Sequence, residues 1–269
     1  MKAVIINALL VLTALLTVIP LLWMISASFM PTGEATLFPP RLLPSHPTIM
    51  HYHELFTRMN FKRTFANSMI IAVVTTLFSL LLNSMAGYAF AKLRFGGRDR
   101  LFGALVAALV IPTQVGMLPL FLVLKSVHLV NSYWGVILPS MATIFGIFLI
   151  RQFMLSVPDD LLDAARIDGA GEFRIYWSIV MPLARPVLVT LAIFTFMSSW
   201  NDFMWPLIVL TDAQKYTLPV AVANLVGEHV QDTELMMASS VLTILPVLIL
   251  FLALQRHYIA GIMMGSVKG

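Results

Sequence analysis

DAARIDGAGEFRIYWSIVMP, residues 163–182, is a polar stretch set between long apolar segments, and it has the grammar of a helical hairpin. Ser156 is placed to cap a helix N-terminus, Pro158 suits a first turn, and Asp159 and Asp160 complement the positive end of the helix dipole. Gly169 supplies the residue without a Cβ that a helix end followed by a sharp turn requires. Ala164 and Ala165 leave the face of the first limb flat enough for close approach by another surface. After the turn, Phe173, Tyr176, Trp177 and Val180 recur at helical spacing and form one apolar face, and Pro182 is expected to stop the element. The hairpin therefore occupies about 156–182.

Outward from the hairpin, the chain is made for a bilayer. It is 59% hydrophobic and 11% charged over 269 residues, against a charged fraction of about 25% in soluble domains. Crossing the hydrocarbon core takes about 20 mostly apolar residues. Six stretches qualify, at about 4–29, 66–91, 101–124, 130–150, 187–210 and 235–254. The expected fold is an all-α membrane protein of six transmembrane helices with a cytoplasmic helical hairpin, one transmembrane domain over 1–269. Pro112, Pro139, Pro206 and Pro246 lie inside four of the stretches; a membrane helix tolerates proline where neighbours or water satisfy the freed carbonyls. They suit kinked helices around a path and ordinary bundle packing alike.

The first stretch imitates a signal peptide, with Lys2, an apolar run and Ser26-Ala27-Ser28. Its run exceeds the roughly 7–15 residues of a signal h-region and contains Pro20 and Trp23. It is read as a retained anchor. With the N-terminus in the cytoplasm, eleven of the 17 Lys and Arg residues fall on the inner side and six on the outer. The positive-inside rule then places both termini and the hairpin in the cytoplasm. The loop Lys92-Leu93-Arg94-Phe95-Gly96-Gly97-Arg98-Asp99-Arg100 contributes most to that asymmetry, and it also suits anionic membrane lipid.

The hairpin resembles the loop by which permease subunits of bacterial ABC importers grip their ATPases, which reads Glu-Ala-Ala, three residues, Gly, nine residues, Ile, one residue, Leu-Pro. Ala164, Ala165, Gly169, Ile179 and Pro182 match that pattern, Asp163 replaces its acid by a shorter one, and Met181 replaces Leu at similar volume. Phe65-Ala66-Asn67-Ser68, Gly87-Tyr88-Ala89-Phe90-Ala91, Ile111-Pro112, Trp200-Asn201-Asp202-Phe203-Met204-Trp205-Pro206-Leu207 and Gly265-Ser266-Val267-Lys268-Gly269 extend the resemblance to the carbohydrate-uptake class, maltose-transporter-like and glycerol-phosphate-transporter-like. The resemblance implies an inner-membrane permease subunit of an ATP-driven, binding-protein-dependent sugar importer. It further implies a homologous second permease, an ATPase dimer that binds the ATP, and an extracytoplasmic sugar-binding protein. Asp163, Ala164, Ala165, Gly169, Ile179 and Pro182 become the ATPase-coupling residues. The chain has no Gly-x-x-x-x-Gly-Lys-Ser/Thr phosphate loop, so ATP chemistry falls to the partner and the subunit needs no cofactor of its own.

Other chemistry is sparse. Asp202 is the one acid inside an expected span, and intramembrane ionisable groups are functional candidates because burying an unpaired charge costs several kcal/mol. Asn201 and Asp202 suit sugar hydroxyls, and Trp200 or Trp205 suits stacking on a ring. The alternative is an aromatic belt with a locally capped Asp202. His46, His51 and His53 fall in a proline-rich outer connection without a regular metal-ligand spacing, and read as a solvated loop. No catalytic constellation and no nucleic-acid partner is implied. The acidic connection from Thr211 to Glu234 contains an apolar stretch, Pro219 to Val226, suited to a docked element; the resemblance links it to the binding protein, the alternative being a linker. A secondary transporter or passive channel with an interfacial helical loop is the competing class. The former calls for coupling acids near the midplane and the latter needs no coupling hairpin.

Overall fold

The computed structural model describes the backbone of residues 2–57, 60–228 and 232–266, and the side chains of 5–57, 60–224 and 232–253. Arg58, His229 and Lys268 therefore lie outside the described residues, as does the end of the 265–269 stretch. So do the side chains of Lys2, Arg256 and His257. Every element among the described residues is helical: α1 (Lys2–Ala27), α2 (Met50–Thr57), α3 (Phe61–Lys92), α4 (Arg98–Ala108), α5 (Met117–Ser126), α6 (Tyr133–Ser140), α7 (Ile144–Leu155), α8 (Asp159–Ile167), α9 (Glu172–Ile175), α10 (Met181–Leu183), α11 (Arg185–Trp200), α12 (Met204–Val209), α13 (Leu218–Glu228) and α14 (Thr233–Ser266). The chain forms two compact units, residues 1–66 with 217–248 and residues 67–216 with 249–269.

Among the described residues, four helical stretches are long and apolar enough to cross a membrane: Ile5–Ala27, Phe61–Lys92, Tyr133–Leu155 and Thr233–Ala253. Two further pairs pass together but are sharply bent, Arg98–Ala108 with Thr113–Ser126 by 98° and Glu172–Leu183 with Arg185–Trp200 by 79°. Counting each pair as one gives six. The expected stretch 101–124 is thus not one straight helix. Pro112, at ψ 131, disfavours helical geometry at Ile111 before it, and Leu109, Val110 and Ile111 make only short turn bonds. The stretch expected at 187–210 breaks at Asn201–Phe203, between α11 and α12.

In the unit of 67–216, α3 and α7 approach closely. A Cβ at Gly87 would lie 2.6 Å from Ile150 Cγ2, and one at Gly146 would lie 2.7 Å from Asn83 Nδ2. The fourth apolar stretch is interrupted between α6 and α7, just after Pro139. Asn83 of α3, fully buried, mends that interruption: its Oδ1 accepts from Thr143 N at 2.9 Å, while Thr143 Oγ1 accepts from Gly146 N at 3.0 Å. Backbone groups freed within a membrane cost several kcal/mol unless satisfied, so a buried amide here matters more for what it prevents than for its own bond.

In the unit of 1–66 with 217–248, the proline-rich connection is tied down. Glu34 accepts from Arg41 Nη1 at 2.9 Å and from Ser45 N at 3.0 Å, and Glu234 Oε1 accepts from Ala35 N at 2.7 Å. His51 departs from the expected solvated loop. It is fully buried on α2, with Nε2 2.9 Å from the Met30 carbonyl oxygen, because the short helix turns it inward while His46 and His53 stay exposed. The expected docked element of the acidic connection is α13, whose first turns bury Leu218 and Val220.

Candidate functional site

Residues 156–182 form the expected hairpin, with some of its parts differently used. Ser156 does not cap α8; it closes α7, its hydroxyl donating to the Phe153 carbonyl, and Pro158 holds the N-cap position with no side-chain cap. Asp159 and Asp160 do occupy the first turn of α8. Gly169 ends α8 at φ +81, with Ala170 N donating to Ala165 O and Gly169 N donating to Arg166 O, both at 3.0 Å. This pair of bonds is the Schellman closure, which satisfies the last carbonyls of the helix internally.

The second limb is α9, a π-helical turn over Tyr176–Val180, and α10. Pro182 does not stop it. Ala184 N still bonds the Val180 carbonyl, and the chain turns at Ala184 instead, where the 79° bend begins. The expected apolar face also divides. Tyr176 and Val180 are buried, with Ile175, among Ile150, Met154, Leu162, Val187 and Leu191, and Ile179 packs against that cluster, whereas Phe173 is 70% exposed and Trp177 is 44% exposed. The extra residue of a π turn rotates the helix face, so the four residues do not share one side.

Around the turn, Ala164, Ile167, Asp168 and Gly169 are exposed, Ile167 at 86%. A Cβ at Gly169 would meet nothing within 4 Å. The tip is thus a small, flat surface bearing one large aliphatic side chain. Asp163 is exposed on α8 and paired with Arg166 at 2.6 Å. Arg166 Nε donates to Glu172 Oε1 at 2.7 Å, which joins the two limbs, and Glu172 with Asp163 holds the guanidinium more firmly protonated than usual.

The base of the hairpin is fixed to α3. Lys92 Nζ donates to the Val157 carbonyl at 2.6 Å and to Asp159 Oδ1 at 2.5 Å. The Tyr88 hydroxyl donates to Glu172 Oε2 at 2.7 Å, and the Tyr176 and Ser84 hydroxyls lie 2.7 Å apart. The hydrogen bond from Lys92 pulls the Asp159 carboxyl below its ordinary 3.8. Sequence reasoning did not assign Ser84, Tyr88, Lys92 and Glu172 to the site. The available signal was the spacing of four that puts Ser84, Tyr88 and Lys92 on one face of the last turns of α3. An open cavity of about 930 Å³ lies between the hairpin and the basic loop, lined by Lys92, Arg94, Arg98, Asp159, Asp163, Arg166 and Glu172 among others.

The second group of candidates is not brought to the hairpin. Trp200 is buried and stacked on Phe196 at a ring separation of 5.8 Å; Trp205 is buried too, its Nε1 donating to the Gly135 carbonyl at 3.1 Å. Asp202 is half-buried and accepts from Trp205 N at 3.3 Å, and Asn201 is exposed with Nδ2 donating to the Met197 carbonyl at 2.8 Å. Among the described residues no group of three or more His, Asp or Glu side chains is placed to hold a metal ion.

Residues 83–263 match the family described as the binding-protein-dependent transport system inner membrane component. The match covers well over half of the sequence and includes the whole hairpin. The chain belongs to this family. The permease is 41% identical over 259 residues to the arabinooligosaccharides transport system permease protein AraQ of Halalkalibacterium halodurans, covering 95% of this chain and 93% of that one. It is 33% identical over 270 residues to the diacetylchitobiose uptake system permease protein NgcG of Streptomyces coelicolor, covering 99% and 89%. Its fold matches a crystal structure of a bacterial ABC transporter involved in the import of the acidic polysaccharide alginate, at TM-score 0.85 and 24% identity with 96% of both chains covered. The permease is accordingly a transport subunit and not an enzyme.

Proposed function

We propose that this chain is the permease subunit of an ATP-driven sugar importer in the bacterial inner membrane, and that the hairpin couples ATPase closure to alternating access. The named relatives carry arabinooligosaccharides and diacetylchitobiose, which supports an oligosaccharide as cargo. The observation that carries the coupling role is the contrast within the hairpin. Its base is bonded to α3 while its tip exposes Ala164, Ile167 and Gly169. An exposed flat surface on a fixed support is what a groove of an ATPase requires, and Asp163 supplies a charge beside it.

The remaining partners are a homologous second permease and an external sugar-binding protein, with both termini and the hairpin in the cytoplasm and residues 1–269 acting as one permease domain. ATP binding draws the paired ATPases together, moves the docked hairpins, and opens the path outward. Asn201 and Asp202 line that path in this reading, with Trp200 behind them. The acidic connection around α13 meets the binding protein; deleting 221–228 lowers ATPase stimulation by that protein while sparing the basal rate, and unchanged stimulation leaves α13 a linker. The decisive experiment is uptake by inside-defined membrane vesicles. Uptake that needs ATP and survives collapse of the proton gradient supports the reading, and uptake driven by the gradient alone overturns it.

A further inference from the structure

On α3, Ser84, Tyr88 and Lys92 are spaced by four, and each holds a different part of the hairpin. Lys92 holds the entry to α8, through Val157 and Asp159. Tyr88 holds the start of α9 through Glu172, whose other oxygen takes Arg166 from the first limb. Ser84 holds the π turn through the hydroxyl–hydroxyl bond to Tyr176. The same helix, one residue away, holds the interruption between α6 and α7 through Asn83, and Gly87 lets it lie directly on Ile150 of α7. All of these groups lie within one compact unit.

We infer that the Ser84, Tyr88 and Lys92 face of α3 is the strut through which the hairpin drives the membrane segments, with Tyr88 acting as a positioning residue through Glu172. The inference rests on the coupling role proposed above and adds the route by which motion leaves the hairpin. Packing of the buried cluster of Ile175, Tyr176 and Val180 is non-directional and does not by itself fix the line along which the hairpin pulls. Directional bonds at three points fix that line. The Lys92 side chain is only 5% exposed, so its ammonium is held where the hairpin enters α8.

The test uses the complete importer in proteoliposomes with its ATPase and binding protein, and reads sugar taken up per ATP hydrolysed. Tyr88→Phe keeps the ring and removes one hydroxyl. It lowers the ratio about tenfold, as loss of one coupled bond to a charged group implies, while ATPase co-purification and basal hydrolysis stay at wild-type levels. Combining it with Glu172→Gln lowers the ratio no further than the worse single variant. A normal ratio in Tyr88→Phe, or effects that multiply, overturns the strut. In a second arm Lys92→Cys with Asp159→Cys lowers the ratio, and a short bifunctional thiol cross-linker restores it; failure of the cross-link to restore it also overturns the strut. Wild-type uptake that needs no ATP overturns the coupling role itself, a result separate from any of these.

Discussion

Two glycines show how one residue type serves opposite ends. At Gly169 the constraint is the backbone, φ +81 with open space around the missing Cβ, so any L residue costs about 1–2 kcal/mol of local strain without a clash. Gly169→Leu is therefore expected to leave the subunit in the membrane and the importer assembled, but to reduce uptake by roughly tenfold or more because it reshapes the tip, the ATPase contact we propose. Membrane insertion by cell fractionation and uptake of labelled sugar check it; wild-type uptake refutes it. At Gly87 the constraint is a neighbour, Ile150, at 2.6 Å from the position a Cβ would take. Gly87→Ala is expected to destabilise the subunit by about 1–3 kcal/mol through overpacking, read as a lower melting temperature of the purified complex in detergent. An unchanged melting temperature would mean that α3 and α7 part readily.

At the scale of elements, the apolar stretches and the hairpin were legible because both rest on local signals, hydropathy over a span and a turn residue at a fixed offset. What escaped was every contact between elements. The spacing of Ser84, Tyr88 and Lys92 marks a polar face but not its partner Glu172, 84 residues from Tyr88, and nothing local distinguishes His51, bonded to the Met30 carbonyl, from its exposed neighbours His46 and His53. The Pro182 reading failed for a related reason, since it is tolerated inside a helical limb that a π turn has already loosened, whereas at Pro112 the stretch bends, one of the two outcomes open for the span prolines. The base of α8 also carries a pH dependence whose sign is fixed. Because the Asp159 carboxyl is held below 3.8 by Lys92, the tie is fully present above that value and is lost as pH falls through the lowered one. Amide exchange over 156–182 is expected to stay slow from about pH 8 to 5 after correction for intrinsic rates, and to rise only below about pH 4. Asp159→Asn removes the acid limb of that profile, and an unaltered profile in the variant would assign it to another group.

For the whole molecule, orientation governs every functional statement, and a sequence without cysteine makes it directly measurable. Single cysteines at Arg98 and Asp168 are expected to resist an impermeant thiol reagent applied to intact cells, while those at Ser45 and Gln214 react. Labelling at Asp168 from outside inverts the topology and removes the hairpin from the ATPase. A last consequence follows from the Schellman closure of α8. Because Gly169 and Ala170 satisfy the end of the helix from within, and the four bonds to α3 engage Val157, Asp159, Glu172 and Tyr176, the exposed Ala164, Ile167 and Asp168 lie outside that attachment. In the proposed coupling reading they form an address separable from the building behind it, and a graft of the tip from a relative is expected to redirect this subunit to that relative's motor.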